Sequence, residues 1–347
     1  MLFVNNAGYD EAFPAQFRHA AWGDFVTFCD MIFPWFLFIM GVSLPFSAAS
    51  FRKRNPEAGL GQYALKCARR AVLLVLMGVL IDCSIHKRIH VGMNVLQLIG
   101  LAFFVAAMLY ETPRRVRFAV AAASLVLYWI LIRFIPLPGL EAGSFDADAN
   151  AIAWINNRLR PYHLAGILSV FPASALVITG TWFGDRLRDS SIKPIAQTKT
   201  LFAVGSVLAV LGLLWHFDLE MSKAVWTPSY ILFAGGLGAI VLGAFHGIID
   251  VLGFRKWAFP FVVYGMNAIT AYFISIMVRV HTVQEWTTKW VGSDGVEQTV
   301  TLWKALLFFW TDLAGRFWGS WLFTSSYIAF WFLVLLWMYR RRIFWRV

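Results

Sequence analysis

The sequence predicts a polytopic all-α bundle embedded in a membrane, on the evidence of composition, run length and charge placement. Of 347 residues, 59% are hydrophobic and only 14% charged, and the mean hydropathy is +0.65. A soluble domain carries nearer a quarter charged residues, so this chain cannot cover its apolar surface with a polar one. Nine runs, at 28–50, 67–84, 93–110, 116–136, 164–184, 199–216, 228–249, 258–279 and 320–339, approach the ~20 apolar residues that cross a bilayer. Lipid offers the backbone no hydrogen-bond partners, so such runs must be helices or a closed barrel. They are too long and too uniformly apolar for barrel strands. The unbroken series predicts a single domain over 1–347.

The first element is the shortest. Met1-Leu-Phe-Val-Asn5 reads as the outer end of a helix whose body is missing, since five residues give ~7 Å of helix against a ~30 Å hydrocarbon core. The charged n-region and cleavage site of a secretory signal are not seen. The sequence therefore predicts about nine full transmembrane helices plus a first-helix stub truncated to residues 1–5. Three of the connecting segments are long: 6–27, 137–163 and 280–319. The second opens on the turn-rich Ile135-Pro-Leu-Pro-Gly139. Within the third, Leu302 to Phe317 is apolar but interrupted by Lys304, Asp312 and Arg316, which predicts an interfacial or re-entrant helix.

Orientation follows from the basic residues. With 6–27 outside, the inner segments hold Arg52, Lys53, Arg54, Lys66, Arg69 and Arg70; Arg114, Arg115 and Arg117; Arg186, Arg188, Lys193 and Lys199; Arg255 and Lys256; and Arg340, Arg341, Arg342 and Arg346. Every inner loop is then basic, as the positive-inside rule requires, and the C-terminus is cytoplasmic. The net charge of +11 is thus mostly a topology signal. Split among short loops, it does not form the continuous basic face that a nucleic-acid partner needs. The long segments gather on the outer side, where a pocket for a polar substrate should open.

The join Phe17-Arg-His-Ala-Ala-Trp-Gly-Asp24 places a histidine, a tryptophan and a carboxylate just ahead of an apolar run, and Asp30 stands at the start of that run. Ionisable groups at a membrane boundary are expensive to desolvate and point to function. His19 is the natural base for an amine or hydroxyl at neutral pH. Asp30 reads either as a helix cap or as the carboxylate that orients His19. Asn5 would lie level with His19, where an amide can donate to an oxyanion. Gln97 and Asn267 fall inside spans and read equally as interhelical glue. Gly235-Gly-Leu-Gly238 reads as close helix packing, and His86 and His90 lie in a basic turn without a carboxylate, so no metal site is predicted. Cys29, Cys67 and Cys83 form no CxxC, and nothing in their spacing pairs them.

These residues resemble the heparan-alpha-glucosaminide N-acetyltransferase family and its bacterial relatives. The resemblance rests on Val4-Asn5, His19-Ala-Ala-Trp22, Asp30-Met-Ile-Phe-Pro-Trp-Phe-Leu-Phe-Ile-Met-Gly-Val-Ser43, Val95-Leu-Gln97, Pro136-Leu-Pro-Gly139, Gly166-Ile-Leu-Ser169, Trp226-Thr-Pro-Ser-Tyr230, Pro260-Phe, Gly265-Met-Asn267 and Tyr339-Arg-Arg-Arg-Ile-Phe-Trp-Arg-Val347. It implies a membrane acyltransferase that takes acetyl-CoA from the cytosol and acetylates an amino sugar across the membrane, with no metal. The family's catalytic histidine and asparagine fall on His19 and Asn5, with Asp30 beside them. Trp22, Asp24, Gln97, Trp226 and Asn267 would then line the acceptor's path, and Arg69 and Arg70 would meet the phosphates of the donor. Where the family has Gln-Arg, this chain has Gln97-Leu98, and the family's opening Leu-Asp-x-x-Arg-Gly stretch is not in the sequence. The animal enzyme's lumenal domain is not in the sequence either, which favours a bacterial inner membrane with the His19 loop periplasmic. Partners would be the donor, the glycan acceptor and membrane lipid, and a homodimer is an assembly such a bundle admits. The rival expectation is a transporter or flippase, with Asp30, Gln97 and Asn267 lining a path.

Overall fold

The computed structural model describes residues 2–291 and 295–345; Met1 of the stub, and Arg346 and Val347 of the C-terminal motif, lie outside the described residues. The helices in chain order are α1 (Leu2–Asn5), α2 (Phe28–Arg54), α3 (Leu60–His86), α4 (Val95–Tyr110), α5 (Arg114–Phe134), α6 (Ala151–Leu159), α7 (Val170–Arg188), α8 (Pro194–His216), α9 (Pro228–His246), α10 (Phe259–Met266), α11 (Ala268–Val278) and α12 (Leu302–Arg340). The all-α expectation holds with one exception. Thr287–Val291 (β1) and Glu297–Thr301 (β2) pair antiparallel in the outer segment, where Thr and Val favour extended backbone.

Among the described residues, six helices are long and apolar enough to cross a membrane, and a seventh span results if α10 and α11 are joined across a 63° bend. The expected nine are therefore not all matched by uninterrupted apolar helices, for three physical reasons. Run 67–84 lies in α3, which has the length but carries Lys66, Arg69, Arg70 and Asp82. Run 93–110 is shortened to the 16 residues of α4. Run 258–279 breaks at Asn267.

α12 resolves the apolar segment 302–317. Gly315 has φ 74° and ψ 167°, outside helical space, and reverses the chain. A Cβ on Gly319 would lie 2.5 Å from the Thr311 Cα, so the two legs fold back upon each other. Trp303 accordingly stacks edge-on against Phe323, with ring centroids 4.7 Å apart. The outer segment 6–27 is fastened to the longer leg: Gly8 N–H donates to Thr324 Oγ1 (3.2 Å), Tyr9 N–H to Ser320 Oγ (3.2 Å), and Trp321 Nε1 to the Ala12 carbonyl (3.1 Å).

The centre of the bundle is α2 against α7. Their backbones touch because glycine faces glycine: a Cβ on Gly41 would sit 2.0 Å from the Val177 carbonyl oxygen, and one on Gly180 would sit 2.3 Å from that of Phe38. Small residues permit this approach where lipid supplies no hydrophobic drive. Gly236, from the run read as a packing surface, meets α8 in the same way, 2.3 Å from the Ala209 nitrogen. Phe38, Leu37, Leu176, Val177 and Tyr230 are fully buried around this seam.

Gly180→Ala should destabilise the bundle by about 1–3 kcal/mol, the usual cost of an extra carbon in a packed core. The measurement is the melting temperature in detergent, with Gly61→Ala as the control, because nothing lies within 4 Å of a Cβ there.

Candidate functional site

The site begins with a proline. Pro34 has no N–H, so the Asp30 carbonyl lacks its intrahelical donor four residues on. The hydroxyl of Tyr230, from α9 and fully buried, donates to that carbonyl instead, at 2.6 Å. The first turn of α2 is thereby fixed to α9, and with it the direction of the Asp30 side chain.

The Asp30 carboxylate is 3% exposed and its two oxygens do different work. Oδ2 accepts from Ala20 N–H (3.1 Å), Thr27 N–H (3.2 Å) and Thr27 Oγ1 (3.1 Å), capping α2 and tying down the loop before it. Oδ1 faces His19 Nδ1 at 2.7 Å and Lys223 Nζ at 3.3 Å. Both sequence readings of Asp30 therefore describe the same side chain.

His19 is half-exposed, at 54%, and stands between three groups. The carboxylate at 2.7 Å is an acceptor that a proton on Nδ1 would satisfy, the tautomer in which Nε2 can act as a base. The Lys223 ammonium lies 2.9 Å from Nδ1, and the buried Cys29 thiol 3.2 Å from it. With Nδ1 protonated, the lysine donates to Asp30 Oδ1 and balances its charge. His19, Cys29 and Asp30 could also offer one ligand atom each to a metal ion. The Lys223 ammonium, however, lies against both the nitrogen and the oxygen, at 2.9 and 3.3 Å, and a positive charge there opposes a metal cation.

Lys223 was not among the residues singled out from sequence, although it stands three positions before Trp226-Thr-Pro-Ser-Tyr230. The turn that delivers it is held by Ser222 N–H to Thr227 Oγ1 (3.0 Å) and Ser229 Oγ to the Leu219 carbonyl (2.8 Å). Trp226 itself adopts φ 55°, an unfavourable conformation for a bulky residue. Its ring is locked at right angles to Phe33, with centroids 5.0 Å apart.

Cavities surround the pair. A cavity of about 410 Å³ is lined by His19, Trp22, Asp24, Asp30, Lys223 and Trp226, so five of the sequence-derived residues share it. A smaller one of about 130 Å³ joins His19 to Asn5, Val95 and Tyr272. Val95 and Tyr272 also line a third, of about 490 Å³, whose walls include Arg70 and Trp345. Arg70 lies ~18 Å along α3 from the level of Asp82. Its guanidinium covers the Phe103 ring at 4.6 Å, and its Nε has no hydrogen-bond partner. The walls beside it, from Phe36, Ile39, Leu74 and Ile99, are apolar.

Besides Arg70, three sequence-derived residues stand apart from His19. Arg69 is exposed on α3. Asn267 fills the α10–α11 break, donating to the Ile343 carbonyl (3.1 Å) and accepting from Trp345 N–H (3.0 Å), which is the packing role also read for it. Gln97 binds Asp82 and lines a neighbouring cavity with Asn5. Asp82, Asn94 and Arg279 in that cavity had no local motif to reveal them. Cys29, Cys67 and Cys83 are all free thiols.

Comparison with known proteins points to one family. A family model described as heparan-alpha-glucosaminide N-acetyltransferase, catalytic, matches residues 2–216. The chain is 24% identical over 341 residues to the human heparan-alpha-glucosaminide N-acetyltransferase, an alignment covering 78% of this chain and 50% of the human protein. It is 33% identical to the mouse protein of the same name over 118 residues, 31% of this chain and 17% of the mouse protein. The chain therefore spans about half the length of the human relative, and a smaller part of the mouse one is aligned.

Tyr230→Phe should leave the Asp30 carbonyl without a donor inside the bundle. A loss of about 1–3 kcal/mol is expected for a buried acceptor left unpaired. Thermal melting reads it, and a melting temperature equal to that of the wild type would show that the hydroxyl does not anchor the helix start.

Proposed function

We propose that this chain, which belongs to the heparan-alpha-glucosaminide N-acetyltransferase catalytic family, transfers an acetyl group from acetyl-CoA to an amino sugar at the outer face of a bacterial inner membrane. The observation that carries this reading is the His19–Asp30 pair, 2.7 Å apart. His19 lines both the 410 Å³ cavity and the smaller one shared with Asn5. A base opening on one side to an acceptor, and on the other to cavities that adjoin an arginine, suits transfer between compartments.

The donor enters from the basic side with its phosphates toward Arg70, whose partnerless Nε and planar fork suit a phosphate oxygen. The pantetheine follows the apolar walls toward Val95 and Tyr272. Bound so, acetyl-CoA supplies the thioester carbonyl, and the acceptor nitrogen attacks its carbon. Nε2 of His19 takes the nitrogen's proton while Asp30 Oδ1 holds the Nδ1 proton and steadies the imidazolium. The Asn5 amide donates to the oxyanion. The C–S bond then breaks, the amide C–N bond remains, and the CoA thiolate leaves with the proton that His19 returns. Acetylation of His19 itself is the alternative order of events, and it uses the same groups.

Transport without chemistry is the rival reading. A transporter typically opens a broken helix onto its solute, but the break at Asn267 is filled by the chain's own Ile343 and Trp345 backbone. Radiolabelled acetyl-CoA and glucosamine, supplied to the purified chain in detergent, separate the two. The transferase makes labelled product, and a transporter consumes no donor.

His19→Ala should lower that transfer at least ~100-fold, the low end of general-base contributions, with the melting temperature retained. Wild-type activity in this variant would defeat the mechanism. Arg70→Leu should raise the KM for acetyl-CoA about tenfold or more, the range of one lost charge-assisted contact, and an unchanged KM would remove Arg70 from the donor site.

A further inference from the structure

The cavity beside Asn5 holds chemistry that the transfer steps leave unused. It encloses about 330 Å³, and its polar lining is Asn5, Asp82, His86, Asn94, Gln97, Tyr272 and Arg279; the His86 ring faces the Asp82 backbone carbonyl, at 2.9 Å, and not its carboxylate. Asp82 is 4% exposed near the outer end of α3. Its Oδ1 accepts from Asn94 Nδ2 and its Oδ2 from Gln97 Nε2, both at 2.7 Å. Both partners are neutral amides. Among the described residues no ion pair reaches this carboxylate. The cation on the same wall, Arg279, is turned to the Asn5 carbonyl and to Asn6 Oδ1.

A buried carboxylate without a counter-charge is unfavourable, and within a membrane protein it marks a place where charge is received. A second group points the same way. Gln97 is 2% exposed and its Oε1 has no hydrogen-bond partner. Asp82 fixes the orientation of that amide, since only Nε2 can face a carboxylate, so the orphan atom is an acceptor. It lies over Gly78, where a Cβ would come within 2.3 Å of it. Two of roughly four lone-pair sites on Asp82 remain open as well. The cavity thus offers a negative charge and spare acceptors, which a primary ammonium, with a positive charge and three donors, complements.

We propose that the Asp82 cavity binds the ammonium group of the acceptor, and so selects amino sugars over neutral sugars before transfer. This rests on the acyl-transfer reading for its place in the reaction, but the binding itself does not. The cavity shares Asn5, Val95 and Tyr272 with the one that holds His19, and Ile85 and His86 form its rim at the outer end of α3. An amine captured there waits one cavity away from the base. Asp82 is accordingly a specificity-determining residue, and Gln97 serves it by holding the carboxylate in place.

The test titrates glucosamine and glucose into the full chain in detergent at neutral pH, without donor. The wild type should bind glucosamine at least tenfold more tightly than glucose, and methylammonium should compete. Asp82→Asn should lose that preference, whereas Asp82→Glu, which keeps the charge, should retain part of it. In turnover, Asp82→Asn should raise the KM for glucosamine at least tenfold and change kcat less than threefold. Equal binding of the two sugars by the wild type overturns the proposal, whatever the variants do. An undiminished preference in Asp82→Asn overturns it too. Selective binding without acetyl transfer would uphold this site and defeat the transferase reading, while transfer without selectivity would do the reverse.

Discussion

The carboxylate of Asp30 is the constraint on which the rest depends. It closes the first turn of α2, secures the loop that carries His19, and faces Nδ1 of that ring at 2.7 Å. One side chain can do this because its two oxygens face different neighbours. The arrangement needs a helix that starts at one fixed height, which the Tyr230 hydroxyl secures across the bundle where Pro34 has removed the normal donor. Structure and chemistry are therefore coupled at a single residue. Loss of either oxygen's partners disturbs the other's.

The buried polar groups of the bundle divide by what they face. Asn267 is consumed by the backbone of residues 343 and 345, and Asp185 by Arg117 at 2.5 Å and Tyr110 at 2.7 Å. These contacts join helices and leave no free valence toward a cavity. Gln97 and Arg70 each keep an unpartnered oxygen or nitrogen on a cavity wall, and Asp82 meets there only one neutral donor on each oxygen. In a protein that shields polar atoms from lipid, that spare capacity separates a site from a joint.

Much of this was legible in sequence, because it depends on local pattern. The helical class, the polar join at 17–30, the separate character of 302–317 and the packing face at Gly235-Gly-Leu-Gly238 all follow from composition and spacing along one segment. The contributions that escaped come from distant segments. Lys223 reaches His19 across 204 positions, and Tyr230 reaches Asp30 across 200. Asp82 drew no reading from sequence, because Asn94 and Gln97 close around it only in the fold. The expected nine spans are not all matched where apolar runs contain a buried charge, as in α3, or a polar break, as at Asn267. Hydropathy averages over both. The β1–β2 pair was missed because five alternating residues in a long loop carry little signal.

The glycine seam between α2 and α7 has a dynamic consequence. Backbones already in contact cannot move closer, and parting them would open a void with no lipid or water to fill it. These two helices form the most closely packed seam described in the bundle. The large cavity beside Arg70 is walled by α2, α3 and α4 on one side and by Gly265, Met266, Ala268 and Ile269 on the other, at the bent α10–α11 pair. Any widening of that cavity falls to the bent side, while the glycine seam holds α2, and Asp30 with it, in place.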